Sequence, residues 1–190
     1  MRFRVTGVPA DGNCLFHAIV RGWLHVVGPA LAEPPAEAPD FEGKRAALAA
    51  ALRELSARHL FSHACSDEPL TRILLGMDAD LDAEEALSVN FNRRVLGRRA
   101  TTLAQSGCEE GESVADYLER MRRDGEWAGE DSIVACADLL GCRIVCFSEG
   151  EAGITPGLRF AYGRRGWPRI RVLFHADASH YSSLLPVGEE

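Results

Sequence analysis

The chain has 190 residues, of which 46% are hydrophobic and 26% charged, the size of one domain and the composition of an ordinary globular protein rather than a disordered or fibrous one. Lys and Arg number 21 against 28 Asp and Glu, and the net charge of −7 argues against a nucleic-acid-binding surface. No run approaches the ~18 apolar residues of a membrane span, and the opening MRFRVTGVPADG lacks the apolar core of a secretory signal. The six cysteines therefore read as free thiols in a reducing, cytoplasmic compartment, which would be the host cytosol if the source is a virus or bacterium.

In chain order, RFRV predicts a short strand and ADGN a turn. Leu15, Phe16, Ile19, Val20 and Trp23 then give a helical stripe with Cys14 in its first turn. The Pro- and Ala-rich stretch at 28–42 predicts an exposed loop. From Lys44 to about His63, Leu48, Leu52, Leu55 and Leu60 mark an amphipathic helix, and two or three shorter helices fill 68–105. Ser113, followed three residues on by Asp116, resembles a capping box for a helix through VADYLERMRRD that Gly125 can end. GEDSIVACADLLG predicts a second helix, closed by Gly141, and CRIVCF a buried strand. LRFAY, RIRVLF and HYSSLLPV predict three more strands. Helices early and strands late point to an α+β or mixed-sheet domain.

Cys14 directly follows Asp-Gly-Asn and directly precedes a helix. A helix N-terminus lowers a thiol pKa from about 8.5, and its backbone N–H groups suit an oxyanion. The competing reading is a small core cysteine. A nucleophilic thiol also needs a base, commonly a histidine distant in sequence. Of the six histidines, His17 lies one turn along the Cys14 helix and suits packing better than catalysis, and His25 falls in a loop. His175 and His180 flank the polar turn ADAS, and His180, at the mouth of a strand, is the better base, with Tyr181 on the opposite side. His59, His63 and Cys65 have zinc-like spacing but no visible fourth ligand, so a plain helix end competes with a zinc-stabilised interaction domain. Trp127, between Gly125 and Gly129, is an unusual residue for a helix start.

DGNCLFHA, then YLERMRRDGEWAGEDSIVACADLLGCRIVCF, then HYSSLLP occur in one order. This combination resembles the OTU (ovarian-tumour) family of cysteine peptidases, most of which are deubiquitinases, over residues 4–186. The resemblance implies an α+β OTU domain of the cysteine-peptidase type spanning 1–190, with a mixed β-sheet core flanked by helices. It also implies Cys14 as nucleophile, His180 as general base and Asp11 as support for the oxyanion-hole backbone. Where the family has Asp or Asn two residues after the histidine, this chain has Ser182, the candidate for orienting the ring. Trp127, Gly129 and Glu130 are candidates for lining the channel of a narrow, glycine-ended substrate tail. The implied partner is ubiquitin, polyubiquitin or a ubiquitin-like modifier, cleaved from lysine side chains, with no cofactor and no metal. The alternative is a catalytically weak or inactive ubiquitin-binding module.

Overall fold

The computed structural model describes residues 2–28, 40–64, 112–149 and 158–187. Its elements are β1 (Arg2–Thr6), α1 (Cys14–Val27), α2 (Phe41–Ala64), α3 (Val114–Arg122), α4 (Glu130–Leu140), β2 (Arg143–Ser148), β3 (Leu158–Tyr162), β4 (Arg169–His175) and β5 (His180–Val187). The strands form one mixed sheet in the order β1-β5-β4-β2-β3. The β2–β4 pair is parallel and the other three are antiparallel. This is the α+β architecture with a mixed sheet and flanking helices that the sequence predicts.

Alternation along the strands explains the layering. Ile170, Val172 and Phe174 of β4, Ile144 and Cys146 of β2 and Tyr181 of β5 belong to one buried cluster with Phe16, Ile19 and Val20 of α1, as period-2 strand patterning requires. Helix α1 lies on β4 and β5, and α2 packs on α1, α3 and α4. His175, His180 and Ser182 share the opposite strand parity, His175 pairing directly with His180 across the β4–β5 hairpin.

Helix ends follow their local chemistry. Ser113 caps α3, its hydroxyl accepting the Asp116 N–H at 3.0 Å. Gly141 closes α4 at φ 58, the left-handed geometry that favours glycine.

Several expectations change. His25, expected in a loop, lies in the last turn of α1, and α3 ends at Arg122, before Gly125. Helix α2 begins at Phe41 rather than Lys44, so the last two residues of the expected 28–42 loop are helical; residues 29–39 lie outside the described residues. The leucine stripe also does not coincide with the buried face of α2, which takes only Leu52 and Leu60 from it. Leu48 and Leu55 are exposed, whereas Arg45, Ala49, Leu52, Arg53, Ser56, Ala57 and Leu60 are buried. Three helices surround α2, so small residues allow close approach, and a buried arginine replaces the apolar centre that the leucines suggested. The helices expected at 68–105 lie outside the described residues. Among those described, no helix is long and apolar enough to cross a membrane.

Candidate active site

The Asp11-Gly12-Asn13 turn delivers Cys14 to the first position of α1. Gly12 sits at φ 80, and a Cβ on it would lie 1.9 Å from the Gly125 carbonyl oxygen, so only glycine fits. Asp11 Oδ1 accepts the Asn13 N–H at 2.9 Å, while Oδ2 accepts the His17 Nε2–H at 3.0 Å. Burial alone would raise the Asp11 pKa, but these donors outweigh it and hold the carboxyl below its ordinary value. His17 is buried and occupied by Asp11, in keeping with the packing role.

Asn13 occupies the N-cap position of α1 without capping it. Its amide donates instead to Asp124 Oδ1 at 2.5 Å, and its carbonyl oxygen accepts from Arg53 Nε at 2.7 Å. The first turn of α1 contains no acidic side chain either. Its N–H groups are thus left to the thiol or to a ligand rather than to a cap.

Cys14 is a buried free thiol. Burial raises its pKa, and the backbone N–H groups of Tyr181, Leu15 and Cys14 itself oppose that rise without cancelling it. Asp11 adds to it. The resting group is a protonated thiol. Its contact with the Tyr181 N–H puts it beside the peptide that follows His180, so two segments separated by most of the chain meet here. Burial and the charge of His175 lower the His180 pKa, with Asp11 acting in the other direction. A neutral imidazole on the strand whose backbone meets the thiol is in the protonation state a general base needs.

The β4–β5 hairpin carries the histidines. The His175 and His180 rings lie 6.0 Å apart between centroids at 29°. His175 Nδ1 meets Glu149 Oε2, and Nε2 lies 2.9 Å from Ser182 Oγ. The Ser182 hydroxyl, expected to orient His180, is therefore engaged by His175, the nearer diagonal neighbour across the hairpin. Among the described residues no side chain is hydrogen-bonded to the His180 ring.

Of the three candidate channel residues, Trp127 alone stands at the histidine turn. It is 43% exposed, and its Nε1–H donates to the Ser179 carbonyl at 3.2 Å. Gly129 is the buried N-cap of α4, and Glu130 accepts the Tyr162 hydroxyl of β3. Of the zinc-like group only the His59 side chain falls among the described residues. His59 Nε2 lies 3.7 Å from Asp138 Oδ2. The His63 side chain and Cys65 lie outside the described residues.

Arg53 is the residue that sequence reasoning missed. It is 1% exposed. Nη1 donates to Met121 O at 2.9 Å, Nη2 to Gly12 O at 2.9 Å and also to Glu126 O, and the guanidinium lies 4.7 Å from the Phe16 ring centroid. Placing Ala49, Leu52, Ser56, Ala57 and Leu60 on a helical wheel would have found it, because Arg53 falls within that arc.

A thiol at the head of a helix, a histidine on the adjoining strand and a mixed α+β sheet are the parts that a cysteine-peptidase domain uses. The sequence profile of the family described as OTU-like cysteine protease matches residues 9–181. The chain belongs to that family. Comparison with curated proteins gave no match. Three solved structures show the same fold. The Hazara virus OTU bound to ubiquitin is 19% identical, with 98% of this chain and 83% of that chain covered at a TM-score of 0.50. The OTUD1 OTU domain is 16% identical, with 97% and 86% covered at 0.53. The viral OTU domain protease from Farallon virus is 15% identical, with 98% and 86% covered at 0.51.

Proposed function

We propose that this chain is a deubiquitinase, a thiol isopeptidase that releases ubiquitin or a ubiquitin-like modifier from lysine side chains in a reducing cytoplasm. The observation that carries this reading is the Cys14 thiol at the uncapped start of α1, in contact with the backbone N–H beyond His180. The similar Hazara virus OTU was solved bound to ubiquitin, which supports ubiquitin as the substrate class.

His180 takes the Cys14 proton as sulfur attacks the carbonyl carbon of ubiquitin's C-terminal glycine. Backbone N–H groups at the head of α1 receive the oxyanion. The Asn13 N–H is already held by Asp11, so that task falls to its neighbours in the turn. Collapse of the tetrahedral intermediate breaks the C–N bond. His180 returns the proton to the departing lysine amine, leaving a thioester on Cys14. Water, deprotonated by His180, cleaves the thioester and restores the thiol. Trp127, exposed beside Ser179, is the candidate wall of the tail channel.

Ubiquitin with a thiol-reactive group at its C-terminus tests this reading. One adduct should form on Cys14, be lost in Cys14→Ala and persist in Cys65→Ala and Cys136→Ala. Labelling of another cysteine would overturn the mechanism. Tight ubiquitin binding without an adduct would favour an inactive binding module, a reading that the Ser182–His175 bond also favours because it leaves His180 without that partner.

A further inference from the structure

We propose that Arg53 is a positioning residue that clamps the Gly12–Asn13 peptide in the one orientation that leaves the N–H groups around Cys14 directed at an oxyanion. The inference rests on the function proposed above and assigns a role to a residue on a distant helix.

Both ends of this peptide unit are held. Its carbonyl, Gly12 O, accepts from Arg53 Nη2 at 2.9 Å, and its N–H, on Asn13, donates to Asp11 Oδ1 at 2.9 Å. Glycine is the residue most able to let an adjoining peptide rotate, and Gly12 already sits at φ 80. Rotation of this peptide would turn a carbonyl oxygen towards the space an oxyanion needs. Arg53 opposes that rotation from inside the protein and Asp11 from the surface.

The setting of Arg53 fits this role better than a role in stability alone. Its described hydrogen bonds go to neutral oxygens, namely Gly12 O, Met121 O, Glu126 O and Asn13 Oδ1. No carboxylate is hydrogen-bonded to it, although Asp124, Glu126 and Asp11 lie near enough to favour its charge, and apolar replacement of buried charges is often neutral or stabilising. The charge also lies close to the positive end of α1, where it opposes folding but favours negative charge developing at Cys14. Its acceptors form a chain through the site as well. Glu126 O is one residue from Trp127, whose indole is bonded to Ser179, the residue before His180. One guanidinium thus holds the cysteine turn against the segment that reaches the histidine turn.

Arg53→Lys tests the clamp because it keeps the charge and loses the fork that reaches several oxygens at once. On a fluorogenic ubiquitin amide, kcat should fall about 100-fold with KM within about threefold, the scale of losing one oxyanion donor. Alkylation of Cys14 by iodoacetamide, which develops no oxyanion, should stay within about threefold of wild type. Exchange of the Asn13 amide, followed by NMR, should speed up at least about tenfold. A kcat within threefold of wild type would overturn the clamp, as would a kcat loss accompanied by faster alkylation of buried Cys136, which signals general loosening. If the wild-type chain turns over no ubiquitin substrate, the proposed function fails, and unchanged Asn13 exchange in Arg53→Lys would then refute the clamp separately. Should Arg53→Lys fail to fold, Asp11→Ala frees the same peptide from its exposed end. It should give a similar kcat loss, and wild-type kcat in that variant would refute the proposal.

Discussion

The Ser182 hydroxyl lies 2.9 Å from Nε2 of His175, whose other ring nitrogen meets Glu149. A carboxylate can only accept, so His175 Nδ1–H points to Glu149, and Nε2 pairs with the Ser182 hydroxyl. Ser182 is consequently bonded to His175 rather than to the His180 ring.

Substitutions at Ser182 follow from that geometry. Ser182→Ala should lower kcat less than about tenfold, because no bond to His180 is lost, only a weak nearby acceptor. Ser182→Asp should raise kcat by about tenfold, since ~1.4 kcal/mol of imidazolium stabilisation is a factor of ten. A carboxylate there favours protonated His180, so the acid limb of kcat/KM should also move to higher pH. Steady-state rates across pH 5–8 check both. A drop in kcat for Ser182→Asp would mean that His180 is already held by another group.

The two hairpin histidines should separate cleanly. His180→Ala is expected to lower kcat by about three orders of magnitude or more with ubiquitin affinity nearly unchanged, as for a group acting in the chemical step. His175→Ala, which loses the Glu149–Ser182 link and the charge that lowers the His180 pKa, should cost about tenfold or less, and His17→Ala a similar amount through Asp11. Equal losses for His175→Ala and His180→Ala would assign the base to the wrong side of the turn.

Resting protonation gives a third prediction. The His180 pKa is lowered, chiefly by burial, so the base stays neutral to a pH below the ordinary ~6.5 of histidine. The acid limb of kcat/KM should therefore lie below 6.5. The Cys14 pKa is raised, chiefly by burial, so alkylation without substrate should be slow at pH 7 and climb only above the ordinary ~8.5 of a free thiol. Fast alkylation at pH 6 would reveal a preformed thiolate–imidazolium pair instead of general-base activation.

The strands were legible because each alternates or forms a short apolar run bounded by turn residues. LRFAY and HYSSLLPV coincide with β3 and β5. The position of Cys14 at a helix start is legible from the Asp-Gly-Asn turn and the apolar stripe that follows it. The partners of the site were not. The family resemblance pairs Ser182 with His180, whereas the hairpin register supplies His175 as its diagonal neighbour, a relation that exists only after pairing. The face of α2 was misjudged for a similar reason. Leucine spacing assumes one apolar stripe, but α2 packs on three helices and buries Arg53 to satisfy the Gly12, Met121 and Glu126 carbonyls. Glu130 was assigned by its nearness to Trp127 in sequence, and the first turn of α4 directs it to Tyr162.

Asp131 offers a test of the core beneath the site. The carboxyl is fully buried in the first turn of α4, accepts the Tyr117 hydroxyl at 2.6 Å, and is pushed up to about 6 by burial. In the unfolded chain it titrates near 3.9. Between these values the folded state holds a proton that the unfolded state has released. This group's contribution to stability is therefore fully present below about pH 4 and is lost as pH rises through about 6. Two pKa units correspond to roughly 3 kcal/mol. Asp131→Asn keeps an acceptor for Tyr117 and cannot ionise, so its stability relative to wild type should rise between pH 4 and 7 by about that amount and then level off. At pH 4 the variant should be equal to wild type or weaker, because the amide adds a buried donor. Urea denaturation at several pH values gives the difference directly. A difference that stays flat from pH 4 to 7 would show that Asp131 titrates at the same pH folded and unfolded.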